Sequence, residues 1–274
     1  IIMFDYNSIL AANIVGKRRR LFRILGNTGK CLVVPLDDNL ISSNNIGLCD
    51  LKKKLQSIES ARPNGMLCYL GTANLVTEFD IPIILNISAS TVQSKHTRKT
   101  LISSVEQAVK MDAAAVAIHI NISSEYETEM LNNLGYVTEK CNEWGMPVLV
   151  IIYPRKEGDN NTDYNYENLK EHKPEEYTSL VCHCVRIAFE LGADIIKKQY
   201  TGSVDNFSEV VKAASGKPLL IAGGALKDEE SLLCMVRDAM NAGASGVSIG
   251  RNVFNRLDSE KIISKIRDIV FHDL

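Results

Sequence analysis

Leu191-Gly192-Ala193-Asp194-Ile195-Ile196-Lys197-Lys198 joins the end of one predicted helix to one predicted strand. Upstream, Pro174–Leu191 carries apolar residues at helical spacing, Gly192 is a helix stop, and Ala193–Lys198 is an aliphatic run of strand length. The same succession recurs where Trp144-Gly145 precedes Pro147–Tyr153 and where Ala242-Gly243 precedes Gly246–Ile249. The other strand candidates are Cys31–Leu36, Met66–Leu70, Ile81–Ile87, Ala113–Ile120 and Pro218–Ala222, which brings the number to eight. Most are continuously apolar, as parallel strands buried on both faces must be. Helical spacing also covers Arg98–Met111, Glu125–Trp144, Asn206–Ala214, Asp228–Ala242 and Val253–Val270. Eight alternating βα units predict a single closed (β/α)8 barrel of the TIM type, with residues 1–28 as a short N-terminal helical extension. A doubly wound open sheet is the competing architecture. It wants a glycine-rich loop after the first strand, where the chain instead reads Leu36-Asp37-Asp38-Asn39-Leu40.

A length of 274 residues suits one such barrel or two small domains, and the repeat selects the barrel. With 31 Lys+Arg against 33 Asp+Glu, the formal charge is −2, which removes a composition-level case for nucleic acid or an anionic membrane as partner. Lys17-Arg18-Arg19-Arg20 is the local exception and reads as the solvated face of a helix whose other side buries Leu21, Phe22, Ile24 and Leu25. No run approaches the length of a membrane span, and Ile1-Ile2-Met3-Phe4-Asp5 does not resemble a secretory leader, so a cytoplasmic protein is expected. Seven scattered cysteines argue against a disulfide framework. Cys182-His183-Cys184 lies within a helical run without the spacing of a zinc site, and no metal or other cofactor is expected.

Barrel enzymes take their reactive groups from the C-terminal ends of the strands. Those ends hold Asp37 and Asp38, His119, Tyr153, and the pair Lys197 and Lys198. A lysine within a barrel strand is penalised as an ammonium unless it is paired or loses its proton. Two readings of the pair stand: a nucleophile able to form a Schiff base, or a structural ion pair. Ala222-Gly223-Gly224 and Gly250-Arg251 close the last two strands, where exposed backbone N–H groups and a guanidinium suit a small phosphate monoester. Lys156–Glu176, rich in amides and acids with Leu169 its only aliphatic residue, follows the fifth strand. It is either a lid over the catalytic face or a solvated insertion.

Asp194-Ile195-Ile196-Lys197-Lys198-Gln199-Tyr200-Thr201-Gly202, Ala222-Gly223-Gly224, Gly250-Arg251-Asn252-Val253-Phe254 and Trp144-Gly145-Met146-Pro147 with Tyr153-Pro154-Arg155 resemble the archaeal-type class I aldolases of the DeoC/FbaB superfamily. Within it they are most similar to the branch of 2-amino-3,7-dideoxy-D-threo-hept-6-ulosonate synthases, with the class I fructose-bisphosphate aldolases beside it. The resemblance runs from about Gly16 to the C-terminus, and Ala117-Ile118-His119-Ile120-Asn121 fits the same pattern. It implies Lys197 as the Schiff-base lysine, Tyr153 as general acid/base, Asp37 as the proton-transfer carboxylate, and Ala222, Gly223, Gly224, Gly250 and Arg251 as a phosphate cradle. Arg155, His119 and Asp38 join the substrate-binding positions. The implied substrates are a phosphorylated ketose or keto-sugar and an aldehyde, with aspartate semialdehyde one candidate, and the implied assembly is a homo-oligomer.

The chain departs from the family pattern at the mouth. Asp38-Asn39 stands where relatives read His-Gly, Gly71-Thr72 where they carry His-Lys, and Asn86 where a histidine is common; Gly224-Ala225-Leu226 lacks the family's proline. A changed substrate is the expectation. Two alternatives accompany it. Ser124-Glu125-Tyr126-Glu127 resembles a thiolase branch that acts on a phosphorylated diketone, and the altered first-strand motif is compatible with a non-catalytic barrel that only binds phosphate.

Overall fold

The computed structural model describes residues 15–41, 46–76, 79–159 and 163–272. The expected extension is therefore seen only from residue 15 onward; residues 1–14, like 160–162 of the loop after the fifth strand, lie outside the described residues. Eight parallel strands close a barrel: β1 Cys31–Pro35, β2 Gly65–Cys68, β3 Ile83–Asn86, β4 Ala115–Ile122, β5 Val148–Pro154, β6 Ile195–Gln199, β7 Leu219–Ala222 and β8 Gly246–Ser248. Each strand pairs with its neighbour in sequence, and β8 returns to β1 through Cys31 beside Gly246 and Val33 beside Ser248. Around them run α1 Val15–Leu25, α2 Leu51–Ser60, α3 Leu70–Leu75, α4 Val105–Lys110, α5 Glu127–Trp144, α6 Glu167–His172, α7 Pro174–Glu190, α8 Val204–Ala213, α9 Glu229–Asn241, α10 Arg251–Phe254 and α11 Ser259–Phe271.

The strand period of two divides the core into two layers. Cys31, Val33, Leu67, Ile84, Ala115, Ala117, Leu149, Ile151, Ile195 and Leu220 fill the barrel interior, whereas Leu32, Val34, Val116, Val150, Ile196 and Ile221 pack outward against the helices. The same alternation aims Asp37, Asn86, His119, Tyr153 and Lys197 inward at the open end and sends Lys198 outward.

Three local expectations fail for identifiable reasons. Residues 98–111 do not form one helix: Thr100–Leu101 pairs with Ser88–Ala89 in a small antiparallel ribbon, and α4 begins only after Ser104, whose side chain accepts from the Gln107 N–H. The last helix divides into α10 and α11, the second opened by Asp258 capping the Lys261 N–H. Strand two ends at Cys68, and Leu70-Gly71-Thr72-Ala73 begins α3 instead of prolonging the strand.

The basic run at 17–20 is also not a solvated face throughout. Leu21, Ile24 and Leu25 plug the N-terminal end of the barrel, while Phe22 is exposed. Lys17 follows the plug inward: its Nζ lies 2.9 Å from Asp194 Oδ2 and donates to Asn142 Oδ1 at 2.8 Å, with the two ionic side chains only 6% and 8% exposed. Arg20 Nη1 donates to the Gly145 carbonyl at 3.1 Å. These contacts seat α1 on the starts of β5 and β6. Removing one partner of a buried pair leaves the other charge without compensation. Lys17→Met is therefore expected to lower unfolding stability by about 3–5 kcal/mol in reversible denaturant titrations. Arg23→Ala, which breaks the exposed pair with Asp112, changes it by less than about 1 kcal/mol.

Candidate active site

Lys197 sits on the inner face of β6, 8% exposed, near the carboxylates of Asp37 and Asp38 and the guanidinium of Arg251. Burial lowers its pKa from the ordinary lysine value; Asp37 opposes that shift, Arg251 adds to it, and Asp38 opposes it again. Lys198, one residue on, is completely buried on the outer face and donates to the Ile152 carbonyl at 2.9 Å. Burial pushes its pKa down to about 8, with the Cys184 thiol pulling the other way. Of the two strand lysines, Lys197 alone shares the barrel mouth with Asp37.

Asp37 is held by Asn86, whose amide donates to Asp37 Oδ2 at 2.7 Å. The Asn86 oxygen is itself fixed by the Ser88 N–H and hydroxyl at 3.1 and 3.3 Å. Asparagine at this departure from the family pattern thus orients the carboxylate without adding charge. At Asp38, the carboxylate Oδ1 reaches to 4.0 Å from Arg251 Nε, so it faces that guanidinium across the β1–β8 junction. Tyr69, at the end of β2, also senses Asp37 and Asp38; burial first and then both carboxylates raise its pKa.

Tyr153 ends the inner row of β5. Burial raises its pKa, Arg155 opposing and Asp37 reinforcing, so the phenol keeps its proton at neutral pH and is a donor before it is a base. The His119 and Tyr153 rings meet at right angles with their centroids 5.1 Å apart. His119 is held neutral, its pKa driven well below the usual value by burial and then by Lys99, Arg155, His96 and Lys197. Its tautomer follows from Asn121, whose amide donates to the carbonyls of His96 and Thr97 at 3.2 and 2.8 Å. The Asn121 oxygen therefore faces His119 Nε2 at 3.1 Å, which places the imidazole proton on Nε2.

Gly223-Gly224 and Gly250-Arg251 lie side by side because Asn252 ties them together. This fully buried amide donates to the Gly223 and Ala225 carbonyls at 3.2 and 2.8 Å and accepts the Lys227 N–H at 2.8 Å. A Cβ on Gly250 would stand 2.8 Å from the Pro35 carbonyl oxygen, so only glycine lets the end of β8 close on β1 here. A cavity of about 830 Å3 opens beside these loops and is lined by Gln199, Ala222, Gly223, Gly224, Lys170 and Lys227.

The segment after β5 forms an antiparallel ribbon, Lys156–Glu157 with Asp163–Tyr164, followed by α6. Asn165 Oδ1 accepts from Arg155 Nε at 2.6 Å, and Asp163 lies 3.9 Å from the same nitrogen. Cys182 and Cys184 do not converge with His183: Cys184 is buried against α7's core side, His183 is exposed, and no group of three metal-ligating side chains occurs among the described residues. No helix among the described residues is long and apolar enough to cross a membrane.

Lys99, His96 and Tyr69 were not candidates from sequence. Lys99 falls within the helix expected from residue 98 and His96 just before it; the Ser104-x-x-Gln107 capping signature marks the true helix start and would have released Lys99.

The site is thus an eight-stranded parallel barrel with a buried lysine and carboxylate at its mouth and paired glycine loops after β7 and β8. The family model of the DeoC/LacD family aldolases matches residues 31–256. The chain is 33% identical over 262 residues to 2-amino-3,7-dideoxy-D-threo-hept-6-ulosonate synthase 1 of Archaeoglobus fulgidus, covering 94% of this chain and 92% of that one. It is 32% identical over 246 residues to the 2-amino-4,5-dihydroxy-6-oxo-7-(phosphonooxy)heptanoate synthase of Streptomyces griseus, covering 88% and 85%. An archaeal fructose-1,6-bisphosphate aldolase with its catalytic lysine bound to the carbinolamine intermediate superposes with a TM-score of 0.80 at 27% identity, covering 92% of this chain and 98% of that one. The chain belongs to the DeoC/LacD aldolase family.

Asn252→Ala removes three hydrogen bonds that join the two glycine loops. The expected outcome is a loss of about 2–4 kcal/mol of stability together with weaker inhibition by inorganic phosphate, read from denaturation and from phosphate titrations of activity.

Proposed function

We propose that the protein is a Schiff-base-forming class I aldolase or transaldolase acting on a phosphorylated ketose or keto-sugar, with Lys197 as nucleophile. The observation that carries this reading is a buried lysine with a lowered pKa facing Asp37 across the barrel mouth, beside the glycine loops. The neutral amine of Lys197 attacks the substrate ketone, forming a C–N bond as the carbonyl pair moves to oxygen. That oxygen takes up two protons, one given up by the new ammonium nitrogen and one supplied from outside, both relayed through Asp37, and leaves as water, so that the product is an iminium. The iminium accepts the electron pair released when the adjacent C–C bond breaks, while the phenol of Tyr153 exchanges the proton of the hydroxyl at that bond. The sink is organic, so the reading assigns no metal to the reaction.

Gly223, Gly224, Gly250 and Arg251 hold the phosphate of the ketone unit. Condensation of that unit with an aldehyde carrying its own anionic group fits the product that the Streptomyces relative is named for, a seven-carbon chain with a phosphate at one end and a carboxylate at the other. The reading extends to a soluble cytoplasmic homo-oligomer; exposed Phe22 and Trp144, on the adjoining α1 and α5, are apolar groups such an assembly would cover.

Borohydride added with dihydroxyacetone phosphate is expected to inactivate the protein irreversibly, and Lys197→Met is expected to abolish both turnover and trapping. A protein that only binds phosphate gives no adduct. Protonated Lys197 cannot attack, so the trapping rate should fall as pH drops through the lowered folded pKa. An acid limb centred at the ordinary lysine value of 10.5 contradicts the assignment.

A further inference from the structure

Across the mouth from the glycine loops stands a cluster that, Arg155 apart, the roles above leave unused. The ribbon after β3 carries Ser90, His96 and Lys99. Lys99 is buried, 3% exposed, and its Nζ donates to Ser90 Oγ at 2.6 Å and to His96 Nδ1 at 2.7 Å. Accepting at Nδ1 leaves the His96 proton on Nε2. Burial, then Lys99, Arg155 and Arg251, push the His96 pKa down to about 2, so both hydrogen-bond partners of Lys99 are uncharged. Arg155 adds a guanidinium whose Nε is engaged by Asn165 while its Nη1 is buried with no hydrogen-bond partner among the described residues. Lys99 can charge here only against neutral hydrogen-bond acceptors, and although Asp163 lies 3.9 Å from Arg155 Nε, the Arg155 Nη1 proton is left without an acceptor, so an incoming anion would satisfy both.

Their position matters as much as their charge. The ribbon follows β3 and Arg155 follows β5, so the cluster centres on β4; four strands round the ring is β8, which ends at Gly250-Arg251. Lys197 on β6 lies midway between them. A substrate anchored by phosphate at the glycine loops and joined to Lys197 near that end therefore extends its far end toward Lys99.

We propose that Lys99, with His96 and Arg155, is the subsite for the anionic group of the second, aldehyde substrate. This rests on the Schiff-base reading above. It also accounts for the departures at Thr72 and Asn86, because the positive charge comes from the ribbon instead of the ends of β2 and β3. Burial first and then Arg155 hold the Lys99 pKa down to about 7, with Asp37 and Asp163 pulling it back up. An arriving anion adds to the pull of those two carboxylates, so binding charges the lysine.

Carboxylate and phosphate share the required chemistry, and two pairs of aldehydes separate them: succinate semialdehyde with butanal, and glyceraldehyde phosphate with glyceraldehyde. At saturating dihydroxyacetone phosphate, the wild type is expected to prefer one charged aldehyde over its neutral counterpart at least tenfold in kcat/KM, and the preferred pair names the anion. Lys99→Met should erase that ratio through the KM of the aldehyde, and Lys99→Arg should retain part of it. His96→Gln should move the ratio in the same direction and covers a methionine variant that does not fold. Absence of borohydride trapping in the wild type overturns the Schiff-base reading and this inference with it. Trapping accompanied by a charged-to-neutral ratio unchanged in Lys99→Met, or by equal losses for charged and neutral aldehydes, overturns this inference alone.

Discussion

Everything at the mouth depends on one conflict, an amine that the barrel wall buries and two carboxylates that favour its charged form. Burial of Lys197 on the inner face of β6 lowers its proton affinity, and Asp37 and Asp38 restore part of it. The balance yields a lysine that loses its proton more readily than one in water yet keeps a carboxylate close by. Asn86 sustains it by fixing the Asp37 oxygen with a neutral amide, where a cationic side chain would have drawn the carboxylate away from the lysine. The α1 plug sustains it from below, since Leu21, Ile24 and Leu25 seal the end of the barrel opposite the mouth.

The closed ring then distributes charge around that amine. On one side the glycine loops after β7 and β8, joined by Asn252, present backbone N–H groups and Arg251. On the other, Arg155, His96 and Lys99 gather where β3, β4 and β5 end. His119 and Tyr153 lie on the inner row of β4 and β5, the imidazole neutral and the phenol holding its proton at neutral pH. A near-zero net charge conceals these clustered charges at the mouth, which is why composition excluded polyanionic partners but had nothing to say about small ones.

The barrel was legible because its signal repeats. Eight aliphatic runs separated by helical segments and glycine stops survive errors at their edges, and the inward phase of Asp37, Tyr153 and Lys197 follows from strand alternation once the runs are placed. Features without a period were not legible. The ribbon at Ser88–Ala89 and Thr100–Leu101 has two residues per strand, too few to show alternation, and its second half merged with the pattern of α4. That merger hid Lys99. Lys17 was misread for a different reason: four consecutive basic residues look solvated, and the partners that bury the first of them, Asp194 and Asn142, lie far along the chain. Asn252 was visible only as the neighbour of Arg251, because its hydrogen bonds run to a loop after another strand.

Three buried lysines, Lys99, Lys197 and Lys198, have lowered proton affinities within this barrel, and chemistry at any one of them would give a trapped adduct. Peptide mapping of the borohydride-reduced adduct by mass spectrometry distinguishes them. The account predicts the reduced three-carbon phosphate on Lys197, with Lys198 and Lys99 unmodified. An adduct carried by Lys198 or Lys99 would contradict it, because the inner face of β6 would then not be where the Schiff base forms.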